Sequence, residues 1–278
     1  MRATFLGVST VLLDDGQTAI MTDGFFSRPG LLRSLLRPIA PDDVVIDACL
    51  RRAGVSSLAA VLVSHSHYDH ALDSPAVAER TGAVVVGSAS TSMICRGHGL
   101  SADRFRLAIV GEPLTYGAFV VTPIRAAHTP KPRFQGQIEH AVGRSASIRD
   151  YKMGECYSWH IAHPAGSLII HASTNFVPGA YSGLTAETVY LGIATLGRLP
   201  DSFKADYWQA MVREIGARRV VPIHWDNFFK PLRQPLVPLP RVADDLSASL
   251  RFLRSRGAVD GVEIAMPTAW ETVDPFAG

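Results

Sequence analysis

The sequence predicts one α/β (α+β) domain, and three observations predict it. Short apolar runs of strand length are separated by turn residues, a strand, a loop and a helix follow one another near residue 60, and a later group of strands alternates too weakly for a sheet with one wet face. The chain has 278 residues and 30.0 kDa, with no internal repeat and no low-complexity linker, so a single domain over 1–278 is expected. Surface scaling for this mass gives roughly 11,700 Å² exposed when folded, about 73% of the unfolded surface being buried, so no staples are needed.

The first apolar stretch, Ala3 to Leu13, is followed by Asp14-Asp15-Gly16 and then by Thr18 to Met21, the pattern of a hairpin. Leu31 to Leu36 around Arg33, ended by Pro38, reads as a short cationic turn packing on the core. Ala59 to Val63 is a buried strand that leads into a histidine-rich loop and a helix through Ala76, Val77 and Arg80, and Ala83 to Val86 is the next strand. Arg106 to Val110, Phe119 to Ile124, Cys156 to Ala162 and Leu168 to His171 form the later group, with Gly111, Gly117 and Pro164-Ala165-Gly166 as turns. Residues 129–154 are polar and without periodicity, too long for a neutral connector, and are expected to form a lid or insertion that closes over a cleft. Its deletion is expected to alter substrate affinity more than stability. Asp201 to Ile215 reads as a helix with Asp201 as its cap, Arg219 to Ile223 as a strand, and Asp226 to Arg241, with four prolines, as an extended loop.

Composition narrows the function classes. A net charge of +2 is too small to act by itself as a footprint for nucleic acid. No apolar run approaches the roughly 20 residues that cross a bilayer, and MRATFLG lacks the core of a signal peptide. Three cysteines, Cys49, Cys95 and Cys156, make neither a disulfide framework nor a CxxC metal site, which suits a reducing compartment; a cytoplasmic protein is expected. There is no GxSxG elbow and no GxxxxGK[ST] phosphate loop, leaving serine-hydrolase and P-loop chemistry without a motif.

The chemistry lies in His65-Ser66-His67-Tyr68-Asp69-His70, four metal-ligating side chains in six residues directly after a buried strand. Composition makes a chance HxHxDH about a one-in-a-thousand event. His65 and His67, two apart in extended backbone, point the same way, while Asp69 and His70 at a helix start turn toward a second point, so one loop serves two adjacent metal positions. Imidazole and carboxylate together suit zinc, and manganese and iron as well.

With this motif the chain resembles the metallo-β-lactamase superfamily. The opening TFLGVSTVLLDDGQTAIMTDGFF is similar to the superfamily's first hairpin, with Asp23 at its closing acidic residue. His128 and His224, in VVPIHWDNF, fall where the next and last histidine ligands are found. The resemblance implies a four-layer αββα sandwich of two mixed β-sheets flanked by helices, with the site along one edge. It implies one ion on His65, His67 and His128, a second on Asp69, His70 and His224, and a catalytic role for Asp69 in orienting water. The TFLG start and PIHW ending resemble the ascorbate-phosphate lactonase-like group, from which the chain departs at Gly7-Val8 and Asp23-Gly24.

A further departure bears on the metals. The family's segment after the strand matching Leu168 to His171 carries an aspartate that bridges the two ions, where this chain reads Ala172-Ser173-Thr174-Asn175. Ser173 in the bridge position is a poorer ligand for a hard cation and adds no charge to separate two cations. Asp23, Asn175 and His160 are candidates for orienting the ligands or meeting substrate, and Trp225, Phe228 and Phe229 for an apolar wall. His98, His140 and His163 read as solvated or packed, His171 as a buried histidine, and the cations of 129–154 as a solvated surface.

The expected function is a metal-dependent hydrolase, zinc its first-choice cofactor in one or two ions, acting on an ester, lactone or phosphoester. Its partner is a small-molecule substrate, with no membrane, no nucleic acid and homo-oligomerisation left open. The alternatives are a nuclease or RNA-processing member, a non-catalytic metal-binding protein, and an iron-based redox member.

Overall fold

The computed structural model describes residues 1–232 and 235–277. β1 (Arg2–Phe5), β2 (Val11–Asp14) and β3 (Ala19–Thr22) form an antiparallel meander. The chain then crosses through α1 (Leu31–Leu36) and α2 (Asp43–Arg52) to β4 (Ala60–Leu62), which lies parallel to β3. Two more crossovers, α3 (Tyr68–Ala71) with α4 (Ser74–Thr81), and α5 (Ala89–Gly97), add β5 (Val84–Gly87) and β6 (Phe105–Leu107), both parallel. Asp42 and Ser88 cap α2 and α5 by accepting the Val45 and Thr91 N–H groups.

The second sheet repeats the plan. β7 (Leu114–Tyr116), β8 (Phe119–Ala126), β9 (Cys156–His163) and β10 (Gly166–His171) form a meander. The parallel strands β11 (Thr188–Gly192), β12 (Arg219–Ile223) and β13 (Glu263–Ile264) follow, joined through α6 (Asp201–Trp208) and α7 (Leu246–Asp260). β14 (Thr272–Val273) returns to pair antiparallel with β1. The result is two mixed seven-stranded sheets, ordered β14-β1-β2-β3-β4-β5-β6 and β13-β12-β11-β10-β9-β8-β7.

The period-two alternation of strands assigns the layers. Leu13, Ile20, Leu62 and Val86 join Phe119, Val121, Trp159 and Ile161 in one core, while Leu12, Met21, Val61 and Val85 turn to the other side and pack with Ile46, Leu50, Val77 and Ile94 of the helices. Both faces of the inner strands β2 to β5 are therefore buried, which is why these strands carry little polar surface, while the edge strands β6 and β14 are exposed. The exposed surface is 11,738 Å², close to the scaling value.

Several sequence expectations are corrected. Ala3 to Leu13 is two strands, because the chain reverses at Gly7–Thr10, where Leu6 N–H bonds to Thr10 O and Thr10 N–H to Gly7 O. Asp201 is the first residue of α6 rather than its cap, and the helix continues as a π-helical stretch, Gln209–Arg213. α1 does not pack on the core with its leucines: only Ser34 is buried, and Leu31, Leu32, Leu35 and Leu36 are 47% to 77% exposed. Residues 129–154 do have a core side, since Ile138, Val142, Ile148 and Tyr151 are buried against the helices of the first sheet. The segment is bolted to the fold by an Ile39–Ala146 bridge and by Met153 O, which accepts the Ser66 N–H.

Candidate metal centre

Parallel strands leave their following loops at one edge of a sheet, where the carboxyl ends open. Asp23 follows β3, the His65–His70 loop follows β4 and His224 follows β12, while His128 lies two residues past β8. Two sets of ligand atoms assemble there, His65 with His67 and His128, and Asp69 with His70 and His224, each with its atoms within 4.8 Å of one another. The sets are neighbours, since the His65 and His70 rings lie 3.9 Å apart between centroids.

The remaining nitrogens show which atoms are free to bind. His67 Nε2–H donates to the Arg133 carbonyl at 3.0 Å, leaving Nδ1, which lies 3.1 Å from His65 Nε2. His70 Nδ1–H donates to Asp23 Oδ2 at 2.8 Å, and His128 Nδ1 shares a hydrogen bond with Thr129 Oγ1 at 2.9 Å. Nε2 of both rings is left for the centre, as in histidines whose second nitrogen is fixed by a carboxylate or carbonyl. Asp69 Oδ2 stands 3.4 Å from His224 Nε2 and 3.6 Å from His70 Nε2. Asp23 is itself anchored, accepting the Ser64 N–H at 2.7 Å and the Ser9 hydroxyl.

Electrostatics prepare the same atoms. Burial, reinforced by neighbouring histidines, holds His65 and His67 below the ordinary imidazole range and His128 at about 3, so these rings are neutral at pH 7. Burial alone raises the Asp69 pKa, but His70 and His224 outweigh it and keep the carboxylate ionised. For His70 burial acts downward, and Asp69 and Asp23 outweigh it to raise the pKa. Three neutral imidazoles in one set, and a carboxylate with two imidazoles in the other, are the donors that a divalent ion such as zinc takes while keeping a position open.

The other candidates are placed as follows. Asn175 Nδ2–H donates to the His128 carbonyl at 2.6 Å, which ties the loop 172–175 to a ligand. Ser173 is buried in that loop, its carbonyl accepting the Tyr207 hydroxyl at 3.0 Å. His160 is not brought to the centre: Trp159 and Ile161 face the core between the sheets, so His160 faces away, bonding to the Thr185 carbonyl at 3.1 Å. Phe228 does wall the site, its ring centroid 5.7 Å from His224 and 6.4 Å from Tyr68. Sequence reasoning missed Ser9, Ser64, Arg28, Asp226 and the Arg133 carbonyl. Asp226, two residues from His224, and Ser64, directly before His65, carried only their position as a signal.

A four-layer fold of two mixed sheets with this histidine loop at its edge defines a class, and residues 3–150 match the model of the metallo-beta-lactamase superfamily. The chain belongs to that superfamily. It is 26% identical over 261 residues to a UPF0173 metal-dependent hydrolase of Heliobacterium modesticaldum, covering 90% of this chain and 92% of that protein. A UPF0173 relative from Rhizobium etli is 27% identical over 148 residues, and the match spans about half of each chain, 53% of this one and 56% of the relative. Among solved structures, a metallo hydrolase of the archaeon Ignicoccus hospitalis aligns over 98% of this chain and 97% of its own, with a TM-score of 0.59 at 15% identity, a likeness of fold.

Proposed function

We propose that the chain is a metal-dependent hydrolase that uses one or two divalent ions, zinc first among them, on an ester, lactone or phosphoester of small size. The observation that carries this reading is the pair of adjacent three-ligand sets, in which His67, His70 and His128 already have their second ring nitrogen bonded to protein groups. A bound divalent ion would acidify water and polarise the attacked oxygen. His65, His67 and His128 would hold one ion, and Asp69, His70 and His224 the other. Asp69, ionised and set against His70 and His224, is the side chain suited to orient water, and Asp23 keeps the His70 ring turned to the centre. Phe228 and Tyr68 offer an apolar wall, and Arg133 and Phe134 bring the start of the 129–154 segment over His67. The family supports hydrolysis; the substrate class is proposed from the centre alone.

The test is His67→Ala. It should lose at least one metal equivalent by elemental analysis and abolish turnover of activated ester and phosphodiester probes, with the circular dichroism spectrum retained. Unchanged metal content would remove His67 from the ligand set. A metal-replete protein inert on every probe would favour the non-catalytic reading.

A further inference from the structure

Seven non-glycine residues among those described have a positive φ, and five of them surround the two ligand sets: Val8 (53°), Asp23 (55°), Arg28 (45°), Phe134 (48°) and His224 (57°). For a β-branched valine this region is an outlier, and such residues persist only where their surroundings over-determine them. Around Val8 and His224 the determinant is one carboxylate. Asp226 Oδ1 accepts the Val8 N–H at 2.8 Å, and the Val8 carbonyl accepts the His224 N–H at 2.6 Å, so the Val8 peptide is pinned on both sides to the 224–226 turn. Asp226 in turn meets Arg28, Nη2 to Oδ2 at 2.7 Å, with both side chains 1% exposed. The ion pair is not aligned as a hydrogen bond, and Arg28 Nε and Nη2 and Asp226 Oδ2 find no hydrogen-bond partner among the described residues. Each charge therefore depends on the other for compensation. Gly7 is part of the device: its φ is 90°, and a Cβ there would sit 2.0 Å from Arg28 Nη2.

Neither Arg28 nor Asp226 belongs to a ligand set. We infer that they are positioning residues for the second metal, a buried strut that acts through the Val8 peptide on the backbone of His224. The inference rests on the reading that the two sets hold ions, and goes beyond it by assigning the strut to one set. The strut fixes where His224 presents its ring to Asp69 and His70, and among the described residues no hydrogen bond or ion pair joins it to His65, His67 or His128. Its loss should weaken one ion and spare the other.

The experiment is calorimetric titration of chelator-stripped protein with zinc alone and with manganese alone. It compares the natural chain with Asp226→Asn, Arg28→Met and the double variant Arg28→Met/Asp226→Leu, each with its melting temperature. The expected result is two binding events in the natural chain, of which the weaker loses tenfold to hundredfold affinity in every variant while the tighter is unchanged. The double variant, which leaves no unpaired charge, should recover melting temperature without recovering the weaker affinity. Two natural events with both affinities preserved in the double variant, or both reduced alike, would overturn the inference and leave the pair as packing. A natural chain that binds neither ion would overturn the metal reading itself, and the inference with it.

Discussion

Ser173 is where a shared carboxylate between the two ions would be placed by the resemblance, and its hydroxyl brings no negative charge to offset two cations a few ångströms apart. The three-imidazole set needs no bridge, so the two ions should differ markedly in affinity. Ser173→Asp should narrow that difference by tightening the weaker ion, while lowering the melting temperature of the metal-free form, because a new carboxylate is then buried without its counter-charge. Metal titration and melting curves of the two proteins check both halves. His171 offers a residue-scale effect free of the ligands. Its Nε2–H donates to the Asn175 carbonyl at 2.7 Å, Ser158 Oγ meets Nδ1 at 2.6 Å, and burial pushes the ring down to about 4. The unfolded chain protonates this imidazole near pH 6.5, so its stabilising contribution is complete above that pH and is lost as the pH falls toward 4. The loss is on the order of 3 kcal/mol. Urea unfolding in chelator at several pH values should show a slope about one proton smaller for His171→Gln across this window. The ligands themselves were legible because their spacing has a chemical meaning. Arg28, Ser9 and Ser64 were not, since a lone arginine or serine has no pattern until the fold brings it to a carboxylate.

Among the elements, residues 129–154 teach most. No period exists there because the segment has neither helix nor strand; its four buried apolar residues are spaced by loop geometry, and loop geometry has no repeat to read. Ile148→Ala should cost about 2 to 4 kcal/mol by denaturant unfolding, as a buried truncation does. Phe134→Ala, beside His67 and only half-buried, should cost less than half of that and act instead on substrate KM. Gly97 marks how closely the segment sits: a Cβ there would lie 1.9 Å from the Val142 carbonyl oxygen. The first strand pair was misread for a related reason. Gly7-Val8-Ser9-Thr10 looks like strand sequence, and the turn is imposed on Val8 by Asp226, 218 residues away. By contrast β12 ends where its apolar run ends, at Ile223, because a buried parallel strand has nothing to contradict it.

At the scale of the molecule, the fold carries its own core and does not wait for a metal. Chelation should leave the far-ultraviolet circular dichroism unchanged and lower the melting temperature only by the binding free energy withdrawn, an amount that grows with the metal concentration used for comparison. A collapse of secondary structure on chelation would mean that the ions are structural. The class of the fold was readable from the strand, loop and helix order, whereas the strand order was not, since β14 joins β1 across almost the whole chain, with Ala3 opposite Val273 and Thr4 opposite Thr272. That pairing sets a timetable for synthesis. On a ribosome adding about 5 to 20 residues per second, β1 must keep one edge open for some tens of seconds until its last neighbour emerges. The ligands of the three-imidazole set are all made by residue 128, while the other set waits for residue 224. A nascent chain thus offers the cell one half of its metal centre well before the other.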